Sequence, residues 1–452
     1  MAHLGRLPQG QSYPVAQVEL GRLLFFDRIL SGSRDVACAT CHLPRLSTTD
    51  ASAVSIGTGG EGLGLKRQRV SGKLISRNSL SLINRGDPAW KAMFWDGRAE
   101  RKQPGQFSSP VGQALPKDLQ GLLAAQAIFP LSSRDEMRGQ EGSKDWYGAP
   151  NELAGFETRQ HSPQFWQALT ARVLAFADYQ KALAAAYPGA GGHYTVSHLL
   201  NALEAFQSVT FQSRDAPLVR FLQGRTPDLP GAALRGADLF FGKAHCDSCH
   251  SGPLLTDQDF HNLAVPQVGP GRECMNCHAE TVPHRARILD SGQVPDHRHA
   301  SDRVQAAPSG GNQGIASNID FGRYLVSGKA RDRFRFRTPS LWDVANTSPY
   351  MHNGCYSSLR EVIQHHLDPS TALHNYQATG LDSRISHLIM RDAVVEKVLL
   401  DRLDPKLRAI PPLTKQEVDD LIEFLNSLSE PANRPASQLP PQGVPSGLEM
   451  PQ

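Results

Sequence analysis

Three short runs in this chain set two cysteines and a histidine at fixed spacing: Cys38-Ala39-Thr40-Cys41-His42, Cys246-Asp247-Ser248-Cys249-His250 and Cys274-Met275-Asn276-Cys277-His278. In a C-x-x-C-H run the two thiols add across the vinyl groups of a haem, and the histidine turns back to bind its iron from one face. Zinc sites and redox disulfides also use cysteines separated by two residues, but neither needs a histidine directly after the second. The runs predict three covalently held haem c groups. Their attachment points are Cys38, Cys41, Cys246, Cys249, Cys274 and Cys277, and their iron ligands are His42, His250 and His278. Cys355 is left over and is expected to be a buried thiol.

Iron chemistry depends on the opposite face of each haem. From Leu43 to Gln160 the chain has no histidine, so the first iron is expected to be open, or to be met by Met, Lys, Tyr or a distant residue. An open iron can bind a small molecule. For the second haem, Leu359, Val362, Ile363 and His366 share one face of a helix, which makes His366 the candidate opposing ligand. His365 points about 100° away from it, and packing decides between the two. Met351 and His352 are weaker alternatives. For the third haem, His284, His297 and His299 are candidates among which spacing does not choose. The histidine-free stretch also carries Arg77-Asn78, Phe94-Trp95-Asp96-Gly97-Arg98, Gln126-Ala127-Ile128-Phe129-Pro130 and Arg134-Asp135-Glu136-Met137. Seen singly, Trp95 reads as core and Glu136 as a surface carboxylate.

The elements that must hold these groups show a repeat. Gly21-Arg22-Leu23-Leu24-Phe25-Phe26 precedes the first run and Gly236-Ala237-Asp238-Leu239-Phe240-Phe241 the second, with glycine and Leu-Phe-Phe at one offset. Each reads as an amphipathic helix packing apolar residues on a haem. The expected fold is mainly α, with two cytochrome c-like domains related by an internal repeat, over 15–213 and 214–430. A polar insertion rich in Gly, Pro and His, 272–319, carries the third run, and the Pro-rich tail 431–452 is expected to be disordered. Thr414-Lys415-Gln416-Glu417 is a capping box opening the last helix. A net charge of +3 over 452 residues does not point to nucleic acid or a membrane surface. No apolar run approaches the length of a membrane span. Met1 to Pro14 lacks the apolar core of a secretion signal. Because haem is attached covalently outside the bacterial cytoplasm, a periplasmic location with the signal already removed is expected.

The order of these motifs resembles the bacterial di-haem cytochrome c peroxidases, a family that includes the MauG-type enzymes of methylamine utilisation. The similarity runs from about Leu20 to Leu428. It rests on the Leu-Phe-Phe helices, two C-x-x-C-H runs, Phe94-Trp95-Asp96-Gly97-Arg98, Arg337-Thr338-Pro339-Ser340-Leu341 and Pro349-Tyr350-Met351-His352-Asn353-Gly354. The resemblance implies a peroxidatic first haem with His42 proximal, Trp95 between the two haems, and Gln126 and Glu136 as distal glutamine and catalytic glutamate. It places Asn78 at a calcium site between the haems, completed by backbone carbonyls near Arg337 and Pro339, and His366 opposite His250. Ser55-Ile56-Gly57-Thr58 puts threonine where conventional members carry a capping histidine, which implies a first haem open without prior reduction. The stretch between Trp95 and Gln126 is longer than the family's spacing.

The implied activity is reduction of hydrogen peroxide to water at the first haem. Electrons would come from a small cytochrome or cupredoxin and pass through the second haem and Trp95. MauG-type oxidation of a partner protein's aromatic residues is the alternative within the fold. A multihaem electron carrier without catalysis is the alternative outside it. Homodimer formation is left open, and the third haem is either an electron entry port or a staple for its loop.

Overall fold

Two helix pairs frame the molecule, and each depends on a glycine. Helix α1 (Val15–Phe26) crosses helix α3 (Val196–Thr210), and helix α4 (Gly231–Phe240) crosses helix α6 (Lys415–Ser427). A Cβ on Gly21 would lie 1.9 Å from the Ala202 carbonyl oxygen and 2.8 Å from Phe206 Cβ. A Cβ on Gly236 would lie 1.9 Å from the Asp420 carbonyl oxygen and 2.8 Å from Phe424 Cβ. Only glycine permits such close backbone approach. Next to each crossing the aromatic rings interlock. Phe25 and Phe26 meet Phe206 at 5.2 and 6.2 Å, and Phe240 and Phe241 meet Phe424 at 5.1 and 6.0 Å.

This computed structural model describes residues 4–70, 72, 74–109, 115–156, 162–227, 229–271, 319–378, 380–408, 410–431 and 438–451. The third cysteine-histidine run, with Cys274, Cys277 and His278 and the candidate ligands His284, His297 and His299, lies outside the described residues.

The fold is mostly helical, with short strands where the chain turns back on itself. Helix α2 (Leu122–Ser132) packs on α3, and its neighbour is a three-stranded antiparallel sheet of β1 (Ala92–Met93), β2 (Ala99–Gln103) and β3 (Gln106–Ser108). A two-stranded pair joins β4 (Phe260–His261) to β5 (Phe336–Arg337). Helix α5 (Leu359–Leu367) begins at a capping box in which Glu361 reaches back to the Ser358 backbone. Helix α6 begins at the expected box of Thr414 and Glu417.

The halves meet through buried charge. Arg77 spans Asp96 at 2.7 Å and Asp320 at 2.6 Å, with all three side chains almost wholly buried. Arg337 donates its backbone N–H to the Trp95 carbonyl and its Nε–H to the Phe94 carbonyl, at 2.7 and 2.9 Å. Gly97, at φ +66°, leaves no room for a side chain, since a Cβ would fall 2.4 Å from the Phe260 ring. These contacts tie the Phe94–Arg98 segment to the second half of the chain.

The expectation of a disordered tail needs correction for residues 438–451. Ser446 Oγ donates to Asp27 at 2.6 Å, Gln438 donates to the Thr210 carbonyl at 3.1 Å, and Leu448 is buried in the core around α1. Proline content predicted no regular structure there, and little is present. Extended proline-rich chain can still lie along a surface when apolar side chains such as Leu448 and Met450 find a core.

Candidate functional site

The first cysteine-histidine run forms one helical turn, Cys38–Cys41, closed by a side chain: Thr40 Oγ1 accepts from Ala37 N at 2.9 Å. His42 follows at the end of the turn. Its Nδ1–H donates to the Thr48 carbonyl at 2.9 Å. A carbonyl can only accept, so the proton sits on Nδ1 and Nε2 keeps its lone pair, as an iron ligand requires. Burial lowers the ring's pKa further, which keeps it neutral. The second run repeats the device, with His250 Nδ1–H donating to the Leu255 carbonyl at 3.1 Å. Burial, with a contribution from His366, takes His250 down to about 4.

The two histidines on α5 are distinguished by their hydrogen bonds. His365 uses both ring nitrogens, Nε2 towards the Leu263 carbonyl at 2.7 Å and Nδ1 towards the Tyr356 hydroxyl at 2.8 Å. His366 donates Nδ1–H to the Val362 carbonyl at 2.8 Å, and its Nε2 has no partner among the described residues. His366 thus carries the same tautomer as His42 and His250, and a proton placed on it would lower the pKa of His250. Among the weaker alternatives, His352 is buried and stacked flat on Phe336 at 3.6 Å.

Near the first run, the structure sets Glu136 within electrostatic reach of both Arg98 and Cys41. Glu136 lies in a five-residue π-type turn, Arg134–Arg138, whose start is capped by Ser133 Oγ accepting from Glu136 N at 3.3 Å. Such turns are wider than an α-helix and often re-aim a side chain at a functional site. Burial raises the Glu136 pKa, Arg98 opposes the rise and Asp135 adds to it, and Glu136 in turn raises Cys41. The residues Ser55 to Thr58 pack against this turn. Thr58 N donates to the Asp135 carbonyl and Thr58 Oγ1 to the Arg134 carbonyl, at 3.1 and 3.3 Å. Gln126 stands on α2, and its Oε1 is buried without a hydrogen-bond partner among the described residues. A buried acceptor left unpaired costs about 1–3 kcal/mol. Gln126 Oε1 lacks a donor among the described residues.

Trp95 sits where the halves meet. Its Nε1–H donates to the Asn78 carbonyl at 3.0 Å and its ring meets His352 edge-on at 6.5 Å. Asn78 itself donates Nδ2–H to the Ser52 carbonyl at 3.0 Å, which leaves Oδ1 as the oxygen it could offer a cation. The neighbouring Thr338 carbonyl already accepts from Thr256 and Arg337.

Two residues matter here that motif reading passed over. Arg98 lies over the Phe94 ring at 4.7 Å and pairs with Asp96 at 2.9 Å, which aims a fixed positive charge at Glu136. Burial would raise Asp96, but Arg98 and Arg77 outweigh it and hold the carboxyl at about 2. The signal was its place in the same five-residue run as Trp95. Glu204, on α3, has no such signal. Its carboxylate accepts from Ala124 N at 3.1 Å and from Tyr13 at 3.2 Å, and so caps the helix that carries Gln126.

Comparison with known proteins follows the same lines. The fold is shared with a solved MauG-like protein associated with microbial copper homeostasis, at TM-score 0.56 and 24% identity over 94% of this chain and 93% of that one. That likeness is one of fold alone. Residues 15–227 match the model of the di-haem cytochrome c peroxidase family, and the chain is similar to its members. The cytochrome-c peroxidase IdrP1 of Denitromonas iodatirespirans is 26% identical over 424 residues, covering 94% of this chain and 84% of that protein. The methylamine utilization protein MauG of Methylorubrum extorquens is 26% identical over 369 residues, 80% of this chain and 73% of that one. No described helix is long and apolar enough to cross a membrane.

Proposed function

We infer that this protein reduces hydrogen peroxide to water at a haem held by Cys38, Cys41 and His42, with electrons relayed through a second haem held by Cys246, Cys249, His250 and His366. The observation that carries the reading is a desolvated Glu136 within electrostatic reach of Cys41 and of a fixed Arg98, and the buried, unpaired Gln126 Oε1 on α2 supports it. When bound, the haem supplies the iron at which peroxide is cleaved and the electrons it needs.

The chain's own groups do the rest. Glu136, with its pKa raised by burial, would take a proton from peroxide and return it to the departing oxygen. Gln126 orients peroxide or water by hydrogen bonding. Arg98 stabilises the negative charge that develops on the departing oxygen. Trp95 provides an aromatic bridge between the halves, held by the Asn78 and Arg337 backbones. With Thr58 tied to the Arg134 carbonyl in place of a histidine, the first site is open to peroxide in its resting state. His250 and His366 would together hold the second haem, and two histidine ligands would favour the higher oxidation state of its iron.

In this reading the chain comprises two cytochrome c-like domains, 15–213 and 214–430, and the matching glycine crossings at Gly21 and Gly236 support an internal repeat. A third haem at Cys274, Cys277 and His278 and a calcium ion at Asn78 belong to the same proposal. So do a periplasmic location and a small cytochrome or cupredoxin as electron donor. The test is electron paramagnetic resonance of the resting ferric protein before and after one equivalent of peroxide. A high-spin signal that disappears on addition is expected, and spectra that are low-spin throughout and indifferent to peroxide would overturn the reading.

A further inference from the structure

Next to the second haem's proposed ligand, the fold builds a tyrosine-histidine pair that the peroxidase reading does not use. The Leu263 carbonyl, at 2.7 Å from His365 Nε2, can only accept, so Nε2 carries the proton and Nδ1 is left as an acceptor. The Tyr356 hydroxyl, at 2.8 Å from Nδ1, must therefore be the donor. A phenol is much easier to oxidise by one electron when its proton can move to a base in the same event, and this phenol already has that base in line. His365 is the neighbour of His366 on α5.

The pair opens outward. The Tyr356 ring meets Tyr376 edge-on at 5.6 Å, and the Tyr376 hydroxyl donates to the Cys355 carbonyl at 2.7 Å. Both rings form the floor of a groove of about 400 Å³, whose rim carries Glu361 and Asp368. That volume suits a single small aromatic molecule. The carboxylates cap helices, Glu361 at Ser358 and Asp368 at Thr371, so both are held in place rather than roaming in solvent. Hydrogen bonds from Thr371 hold the Asp368 pKa down, so it is charged at neutral pH. An aromatic floor with an anionic rim selects a cationic aromatic ligand.

We propose that this groove is a second oxidation site, at which Tyr356 passes electrons from small phenols carrying an ammonium group to the peroxide-oxidised protein. This rests on the peroxide reading above. In each turn Tyr356 gives one electron to the oxidised haem pair, and its phenolic proton moves to Nδ1 of His365. The bound phenol then gives one electron to Tyr356, the proton on His365 returns to the Tyr356 oxygen, and the phenol's own proton leaves to solvent to balance the one taken up as peroxide becomes water, which releases a phenoxyl radical. Two phenols supply the two electrons and two protons that convert one hydrogen peroxide to two waters.

Tyramine is the probe, with 4-hydroxyphenylpropionate as its anionic counterpart. Calorimetry on the holoprotein should show tyramine binding about tenfold more tightly than the anion, as one or two nearby carboxylates would give. Asp368→Asn keeps a good helix cap and should narrow that gap. Equal affinity for the two phenols, or no binding, overturns the groove's assignment. In samples frozen after peroxide, a tyrosyl radical should appear in the native protein, be absent from Tyr356→Phe and from His365→Gln, and decay faster with tyramine than with the anion. Persistence of the radical in Tyr356→Phe, or its absence from native protein whose first haem has reacted with peroxide, overturns the tyrosine's role. A first haem that ignores peroxide overturns the peroxidase reading and the oxidation step with it, and the calorimetry then reports on the groove alone.

Discussion

Glu204 should make the protein less stable as pH rises through neutrality, and replacing it should remove that loss. The carboxyl is only 2% exposed, and burial raises its pKa from 4.5 to about 7, against the opposing hydrogen bonds of Ala124 and Tyr13 and the charge of Arg101. In the unfolded chain the group ionises near its ordinary value. Between 4.5 and about 7 the folded state therefore binds more protons than the unfolded one, and stability falls with pH across that window. The stabilisation is complete below the lower value and gone above the higher. At about 1.4 kcal/mol per pH unit, the full difference is ~3 kcal/mol. Glu204→Gln keeps the size and one acceptor oxygen for Ala124 but cannot ionise. Urea denaturation midpoints of the holoprotein and the variant should track each other near pH 4 and separate steadily up to pH 7.5, with the variant gaining by ~3 kcal/mol. A difference that stays constant from pH 4 to 8, or a native protein that gains on the variant as pH rises, would refute the reasoning. Because Glu204 caps the helix bearing Gln126, the same titration should be visible in the electronic spectrum of the first haem.

Other outcomes follow from the same geometry. Glu136→Gln should cost about 10²–10⁴ in peroxide turnover while leaving the resting spectrum of the second haem unchanged, read by stopped-flow kinetics. His366→Ala should convert the second haem from low-spin to high-spin, whereas His365→Gln should leave its spin state as it was, since His365 spends both nitrogens on Tyr356 and Leu263. Gly236→Ala drives a methyl into the Asp420 carbonyl, so thermal denaturation should show a loss of about 1–3 kcal/mol or more. Arg77→Ala strands Asp320 in the interior and leaves Asp96 with Arg98 alone, and should cost about 3–5 kcal/mol, with a larger effect at pH 8 than at pH 5, where protonation of the stranded carboxyl relieves the penalty.

The sequence by itself determined what must be covalent or local. A C-x-x-C-H run states its own chemistry because five consecutive residues hold everything the attachment needs. The Gly and Leu-Phe-Phe offsets announced two alike helices, because close packing on a glycine leaves a fixed spacing to the next aromatic ring. Thr414 and Glu417 gave a helix start for the same reason: the bonds close within four residues.

What only the tertiary structure decided involves partners distant in the chain. The helical pattern favours His366 over His365 but does not settle the choice, which packing decides. The Leu263 carbonyl, 102 residues from His365, engages one ring and leaves the other uncommitted. Arg98 acquired a role because folding sets it beside Glu136, and Glu204 because α3 packs on α2 at Ala124. The tail over 438–451 is ordered against sequence expectation because low propensity for helix or strand says nothing about whether extended chain finds a surface. Ser446 and Asp27 lie 419 residues apart, and no local pattern reports that they meet.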